Sequence, residues 1–243
     1  MTSIQEIYRK KTKASSRLFA KAKKVHINGV HHNIRFFEPY PFITKSAEGR
    51  FLKDVDSNKY VDYWMGHWSL ILGHAQEQIQ KKTSSQLKKS WMHGTSNENT
   101  ILFSEKISKA VRVAEKIRYT TDLLKTVNWP FDISESQGLT DEEHIVSLPL
   151  NNLQESLKIL KSVKKDLAGV LVEPVLGGGG AIPATKEYLQ GLQEMVKTNN
   201  SLFMLDEIVT GFRFRYGCIY PTMKLDPDIV TLGKIVGLSL IHI

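Results

Sequence analysis

The sequence predicts an α/β fold built on a parallel-rich sheet flanked by helices. Two short apolar runs, residues 169–172 and 202–205, each end in acid: Glu173 after the first, Asp206 and Glu207 after the second. Between them lies a helical pattern with Tyr188, Leu189, Leu192 and Val196 on one side. A third apolar run, 229–232, follows the turn signal Asp226-Pro227-Asp228. Strand, helix and strand in this order are the pattern of a parallel sheet.

Such sheets bind ligands beyond the carboxyl ends of their strands. The stretch 202–234, LFMLDEIVTGFRFRYGCIYPTMKLDPDIVTLGK, sets Asp206 at one strand exit and Lys234 just past the next strand. On neighbouring parallel strands the acid and the amine face the same crevice. That pairing suits pyridoxal phosphate, which needs an amine to form a Schiff base and an anion to keep its pyridine nitrogen protonated. From these two residues alone, a strand-end acid in an ordinary ion pair and a surface lysine are the favoured reading.

The surrounding letters narrow the choice. LDEIVTGFR followed by PDIVTLGK closely resembles the cofactor-binding segment of the class III pyridoxal-phosphate-dependent aminotransferases, and within that class the glutamate-1-semialdehyde 2,1-aminomutases. The resemblance runs from about Val30 to Gly237. It implies the fold type I architecture of pyridoxal-phosphate enzymes, incomplete here, with pyridoxal 5'-phosphate as cofactor, a small amino or keto acid as substrate and a homodimeric parent. It also implies Lys234 as the Schiff-base lysine, Asp206 as partner of the pyridinium nitrogen and Ile208 against one face of the ring.

Length and composition are compatible with this. A chain of 243 residues can bury roughly 70–75% of the surface its unfolded form exposes. The single cysteine, Cys218, excludes an intrachain disulfide, and no metal-ligand cluster is evident. No signal peptide opens the chain and no apolar run approaches the ~20 residues of a membrane span, so a cytoplasmic protein without a membrane partner is expected. The net charge of +8 is spread over several amphipathic segments with no aromatic-basic module, which argues against nucleic acid as a partner.

In chain order, Ser3-x-x-Glu6 is a capping-box pattern opening one basic amphipathic helix over 3–24, an N-terminal arm packed on the body or on a partner subunit. Asn28-Gly29 marks a turn. Gly29-Val30 followed by Arg35 matches the element that carries a substrate-carboxylate arginine in the aminomutases, although the intervening HHNI departs from their usual letters; an exposed loop arginine is the alternative. A guanidinium grips a carboxylate with two parallel hydrogen bonds, the chemical reason for arginine there. Residues 49–64 read as a β-hairpin with Asp56-Ser57-Asn58 at its tip. The following MGHWSLILGH resembles the active-site loop of the class, with Trp68 near the substrate; His67 and His74 are acid-base candidates or local hydrogen-bonding groups.

Helices are expected over 76–91 and 99–110, the second capped by Asn97, then a short strand over 116–120, KIRYT. Beyond an amphipathic stretch at 153–163, the strand at 169–172 ends in Glu173-Pro174. By resemblance this is the EP-x-x-G segment at the cofactor edge, which makes Glu173 a cofactor-binding candidate. Its Gly177–Gly180 run has no Lys-Ser or Lys-Thr to make a phosphate loop of the Walker type. Gly178 stands where the aminomutases often carry Asn.

Two departures from the class stand out. After KIRYT the class continues with a Ser-Gly-Thr-Glu motif whose amides and hydroxyls cradle the cofactor phosphate, whereas this chain runs Thr120-Thr121-Asp122-Leu123. A helix-and-strand unit of ~30 or more residues is expected to be missing near Thr121. The final letters, LSLIHI at 238–243, read as a non-native tail. The expected domains are thus an N-terminal arm with part of a small domain (1–95), a partial large cofactor-binding domain (96–237) and that tail. Three functional readings stay open: an aminomutase, inactive as written; an ω-amino-acid aminotransferase of the same class; and a non-catalytic fragment or gene-model artefact.

Overall fold

The structure, a computed structural model, describes residues 3–31, 33–90, 95–119 and 145–236. The chain divides into two units, Met1–Met92 and His93–Ile243.

In the first unit, α1 (Ile4–Lys11) opens on the capping box: the Glu6 amide donates to Ser3 Oγ at 3.2 Å and the Ser3 amide to Glu6 Oε2 at 2.8 Å. The single helix expected over 3–24 is in fact two, because the chain breaks at fully buried Thr12 before α2 (Lys13–Ala22). Thr12 Oγ1 donates to the Tyr8 carbonyl at 2.6 Å. Asp56, more than forty positions away in sequence, accepts the amides of Ala14 at 2.6 Å and Ser15 at 2.8 Å. A carboxylate from a distant loop thus caps α2, a partner that local helical periodicity does not register.

Three antiparallel strands follow: β1 (Thr44–Glu48), β2 (Phe51–Asp54) and β3 (Lys59–Val61), with Phe51 opposite Val61 in the expected hairpin. Buried Asp54 organises the hairpin tip, accepting the amides of Asp56 and Asn58, the Asn58 side chain and the Tyr60 hydroxyl. The polar strand β1 was not expected, since TKSAE has no apolar alternation. The one-turn element α3 (Met65–Trp68) carries positive φ at all four residues, a left-handed turn. The helix α4 (Glu77–Leu87) is capped by Gln76.

In the second unit, α5 (Glu98–Ala110) is capped by Asn97 as expected. The segment expected as a strand over 116–120 is not one at residues 116–119. A strand exists only where a neighbour supplies a hydrogen-bonding ladder, and no described strand pairs with it. Helix α6 (Leu153–Ser162) precedes β4 (Gly169–Val172), a small hairpin of β5 (Val175–Leu176) and β6 (Ile182–Pro183), α7 (Lys186–Thr198), β7 (Leu202–Asp206) and β8 (Ile229–Thr231).

The sheet order is β4-β7-β8, and both pairings are parallel. The α7 face formed by Tyr188, Leu189, Leu192 and Val196 is buried with Val170, Phe203 and Leu205 of the sheet. A β-carbon on Gly191 would come within 2.5 Å of Leu153, so glycine is what lets α6 and α7 approach so closely. The expected deletion point at Thr121 and the tail at 238–243 lie outside the described residues. No helix among the described residues is long and apolar enough to cross a membrane.

Candidate active site

The register of the sheet builds the site. Val172 pairs with Leu205, and Asp206 pairs with Thr231. Glu173, Asp206 and Thr231 therefore stand at the carboxyl ends of three successive strands, and Lys234 follows three residues after Thr231. Neighbouring strands lie about 4.8 Å apart, so the two acids are brought side by side by the backbone alone.

Asp206 is held by two hydrogen bonds on one oxygen. The Ile208 amide donates to Oδ1 at 2.8 Å and the Thr231 hydroxyl at 3.0 Å, and neither uses Oδ2. Burial pushes its carboxyl above the usual range, while those two donors and the Lys234 ammonium pull it back. Glu173 accepts the Gly177 amide on Oε2 at 2.9 Å. Burial raises this carboxyl as well, the Gly177 amide and Lys234 opposing and the Asp206 charge adding to the rise. Lys234 is half-buried in a left-handed backbone conformation. Burial lowers its ammonium below the ordinary lysine value, against Asp206 and Glu173, while Arg213 adds to the lowering. An amine so placed loses its proton more readily, which is what a nucleophilic or proton-carrying lysine requires.

Ile208 lies over Gly233: a β-carbon there would sit 3.2 Å from Ile208 Cγ2. The neighbouring acid Glu207 has a different character. It is fully buried and accepts from the Ile219 amide at 2.8 Å, the Tyr220 amide at 3.0 Å and the Thr210 hydroxyl at 2.9 Å, knitting the 207–220 loop together. Burial also raises its carboxyl.

The other two candidates belong to the first unit. Arg35 is exposed and its guanidinium contacts the His31 ring. Trp68 is half-buried in the left-handed turn with its ring 5.1 Å from that of Trp64. His74 bonds Asp62 at 2.7 Å, a local hydrogen bond. Sequence reasoning passed over Thr231 and the Gly177 amide. Thr231 is betrayed only by strand register, which no single-chain pattern prints.

Pyridoxal phosphate fits the ring end of this cluster: an acid with one oxygen outside its internal bonds, an amine in its field and an aliphatic side chain, Ile208, over the Gly233 that precedes that amine. Among the described residues no group of three His, Cys, Asp or Glu could hold a metal ion.

The family model described as aminotransferase class-III matches residues 35–122 and 126–240, leaving 123–125 unmatched. A glutamate-1-semialdehyde 2,1-aminomutase of Sulfurisphaera tokodaii is 32% identical over 263 residues, covering 92% of this chain and 62% of the relative. That aligned span exceeds the chain's own 243 residues, so the relative has internal residues without counterpart here. The chain spans about 62% of the length of that relative.

Among solved structures, an omega-transaminase from Sphaerobacter thermophilus superposes with a TM-score of 0.83 at 21% identity, over 96% of this chain and 63% of that one. A glutamate-1-semialdehyde-aminomutase from Pseudomonas aeruginosa PAO1 gives 0.76 at 19%, over 95% and 59%. At these identities the superpositions establish the shared fold of a parallel sheet flanked by helices. With its match over most of its length, the chain belongs to the class III aminotransferases, a pyridoxal-phosphate-dependent enzyme family.

Proposed function

We propose that this chain derives from an enzyme of amino-group transfer of the glutamate-1-semialdehyde 2,1-aminomutase type, an intramolecular amino exchange giving 5-aminolevulinate, and that as written it is inactive. The observation that supports the chemistry is the cluster of Asp206, oriented by Thr231 and the Ile208 amide, with Lys234 in its field. The 32% identity to aminomutases supports the substrate class.

When bound, pyridoxal phosphate supplies an aldehyde for an amine and a protonated ring that takes up electrons from the substrate carbon. Each residue then has a task. Lys234 would hold the cofactor through its amine and would serve as the group that moves a proton between carbons. Asp206 would keep the ring nitrogen protonated, Ile208 would pack on the ring face and Glu173 would line the cofactor edge. In the complete parent, Arg35 and Trp68 would receive a carboxylate-bearing substrate. The parent is a cytoplasmic homodimer with a large cofactor-binding domain and a smaller one. Inactivity follows from the missing Ser-Gly-Thr-Glu phosphate cradle after KIRYT, since a phosphate without amide and hydroxyl donors is weakly held.

Gly178 favours a second reading, an ω-amino-acid aminotransferase. A β-carbon there would meet nothing within 4 Å, so packing leaves room for the aminomutase Asn and glycine is not sterically required.

Incubating the chain with pyridoxal phosphate, reducing with borohydride and mapping the label tests the reading. Little label is expected on the chain as written, and label on Lys234 once the cradle-bearing stretch of a relative is restored after Thr120. Label elsewhere in the restored chain overturns the lysine assignment, and turnover by the unrestored chain overturns inactivity. Glutamate 1-semialdehyde against 4-aminobutyrate as substrate of the restored chain separates the two activities.

A further inference from the structure

The cluster holds one more acid than cofactor binding by Asp206 requires. Glu173 and Asp206 end adjacent parallel strands, β4 and β7, and Lys234 follows the third strand of the same sheet. Glu173 is itself fixed in place: the Gly177 amide holds Oε2 at 2.9 Å, and a β-carbon on Gly177 would meet Val209 at 2.9 Å and Glu173 Oε2 at 3.5 Å. One oxygen of this carboxylate is thus tied to the backbone four residues on.

Resting on the pyridoxal-phosphate reading above, we propose that Glu173 is a positioning residue that sets the charge of the Lys234 amine, as the second acid of a Glu173-Asp206-Lys234 cluster. The physical reason lies in what happens to Asp206. A protonated ring nitrogen against Asp206 would neutralise that carboxylate, and its pull on the lysine would fall. Glu173 then remains as the anion of the cluster that still favours the ammonium form. Among the described residues, charged groups acting on Lys234 include Asp206 from β7, Glu173 from the end of β4 and Arg213 from the loop after β7, the last opposing the two acids. Glu173 thereby keeps a proton available on Lys234 for delivery to carbon, while burial and Arg213 keep that proton labile.

The test needs no cofactor. Trace acetylation of the purified chain at pH 8, read peptide by peptide with the exposed Lys158 as internal reference, reports the fraction of Lys234 present as free amine. Removing the Glu173 charge in E173Q, which keeps an acceptor for the Gly177 amide, is expected to raise Lys234 labelling roughly threefold or more. E173L should do the same, and E173D should stay near the parent. D206N serves as the positive control, because it removes the other acid. An unchanged Lys234 rate in whichever of E173Q and E173L keeps the parent's circular dichroism, alongside a rise in D206N, overturns the proposal. Failure of borohydride labelling on the restored chain would instead overturn the cofactor reading while leaving this charge coupling measurable.

Discussion

Thr231 donates its hydroxyl to Asp206 Oδ1 at 3.0 Å across the β7–β8 pairing, so the carboxylate at the strand exit is aimed by the neighbouring strand in register with it. The acid's orientation is thus set jointly by the neighbouring strand and by the Ile208 amide of its own loop. Replacing Thr231 by Val keeps the shape and removes the donor. It is expected to cost about 1 kcal/mol of stability, read as a lower urea midpoint with unchanged slope, and to weaken pyridoxal phosphate binding in the restored chain.

Asp206 also carries a pH signature. Its folded-state carboxyl is raised, chiefly by burial. A raised acid contributes stability below its unfolded value of about 4 and loses it as pH climbs through the folded value. D206N removes that ionisation while its amide oxygen can still accept from Ile208 and Thr231. The variant should be more stable than the parent at pH 7, and the difference should shrink at pH 4. Urea titrations at both values check this, and a parent more stable at pH 7 would contradict it.

Asp56 behaves in the opposite sense. Burial resists its ionisation, yet the amides of Ala14 and Ser15, the Ser15 hydroxyl and Arg17 hold its carboxyl below the usual range. The cap contributes above the ordinary aspartate range and is lost as pH falls through the depressed value. D56A should cost about 1 kcal/mol at pH 7, seen in thermal denaturation, and the penalty should fade in acid.

Gly217, at φ +101°, leaves no room for a side chain: a β-carbon would lie 2.3 Å from the Ala110 carbonyl oxygen. Backbone cannot yield as a side chain can, so G217A is expected to destabilise by about 3 kcal/mol. Gly178, with open space around it, is the contrasting case. G178N should change the urea midpoint little, and equal losses in the two variants would refute the distinction.

The sheet and its covering helix were legible because their information is local. Leu202 to Leu205 is an uninterrupted apolar run, and Tyr188, Leu189, Leu192 and Val196 write a buried stripe at helical spacing. The neighbourhood of Asp206 and Lys234 was legible for the same reason, since strand ends and the turn at Asp226-Pro227-Asp228 are marked in the letters. The KIRYT strand misled, because β-propensity is satisfied only by a partner.

What the sequence by itself determined about this protein is its family, its α/β order and which residues carry charge at the strand exits. Tertiary structure alone decided how those charges are used. It divided the acids into Glu207, consumed by three internal donors, and Asp206, whose Oδ2 stays outside its two bonds. It broke the first helix at Thr12 to receive the Asp56 cap. The reason is that hydrogen-bond partners and desolvation depend on groups far apart along the chain, which a linear pattern cannot bring together.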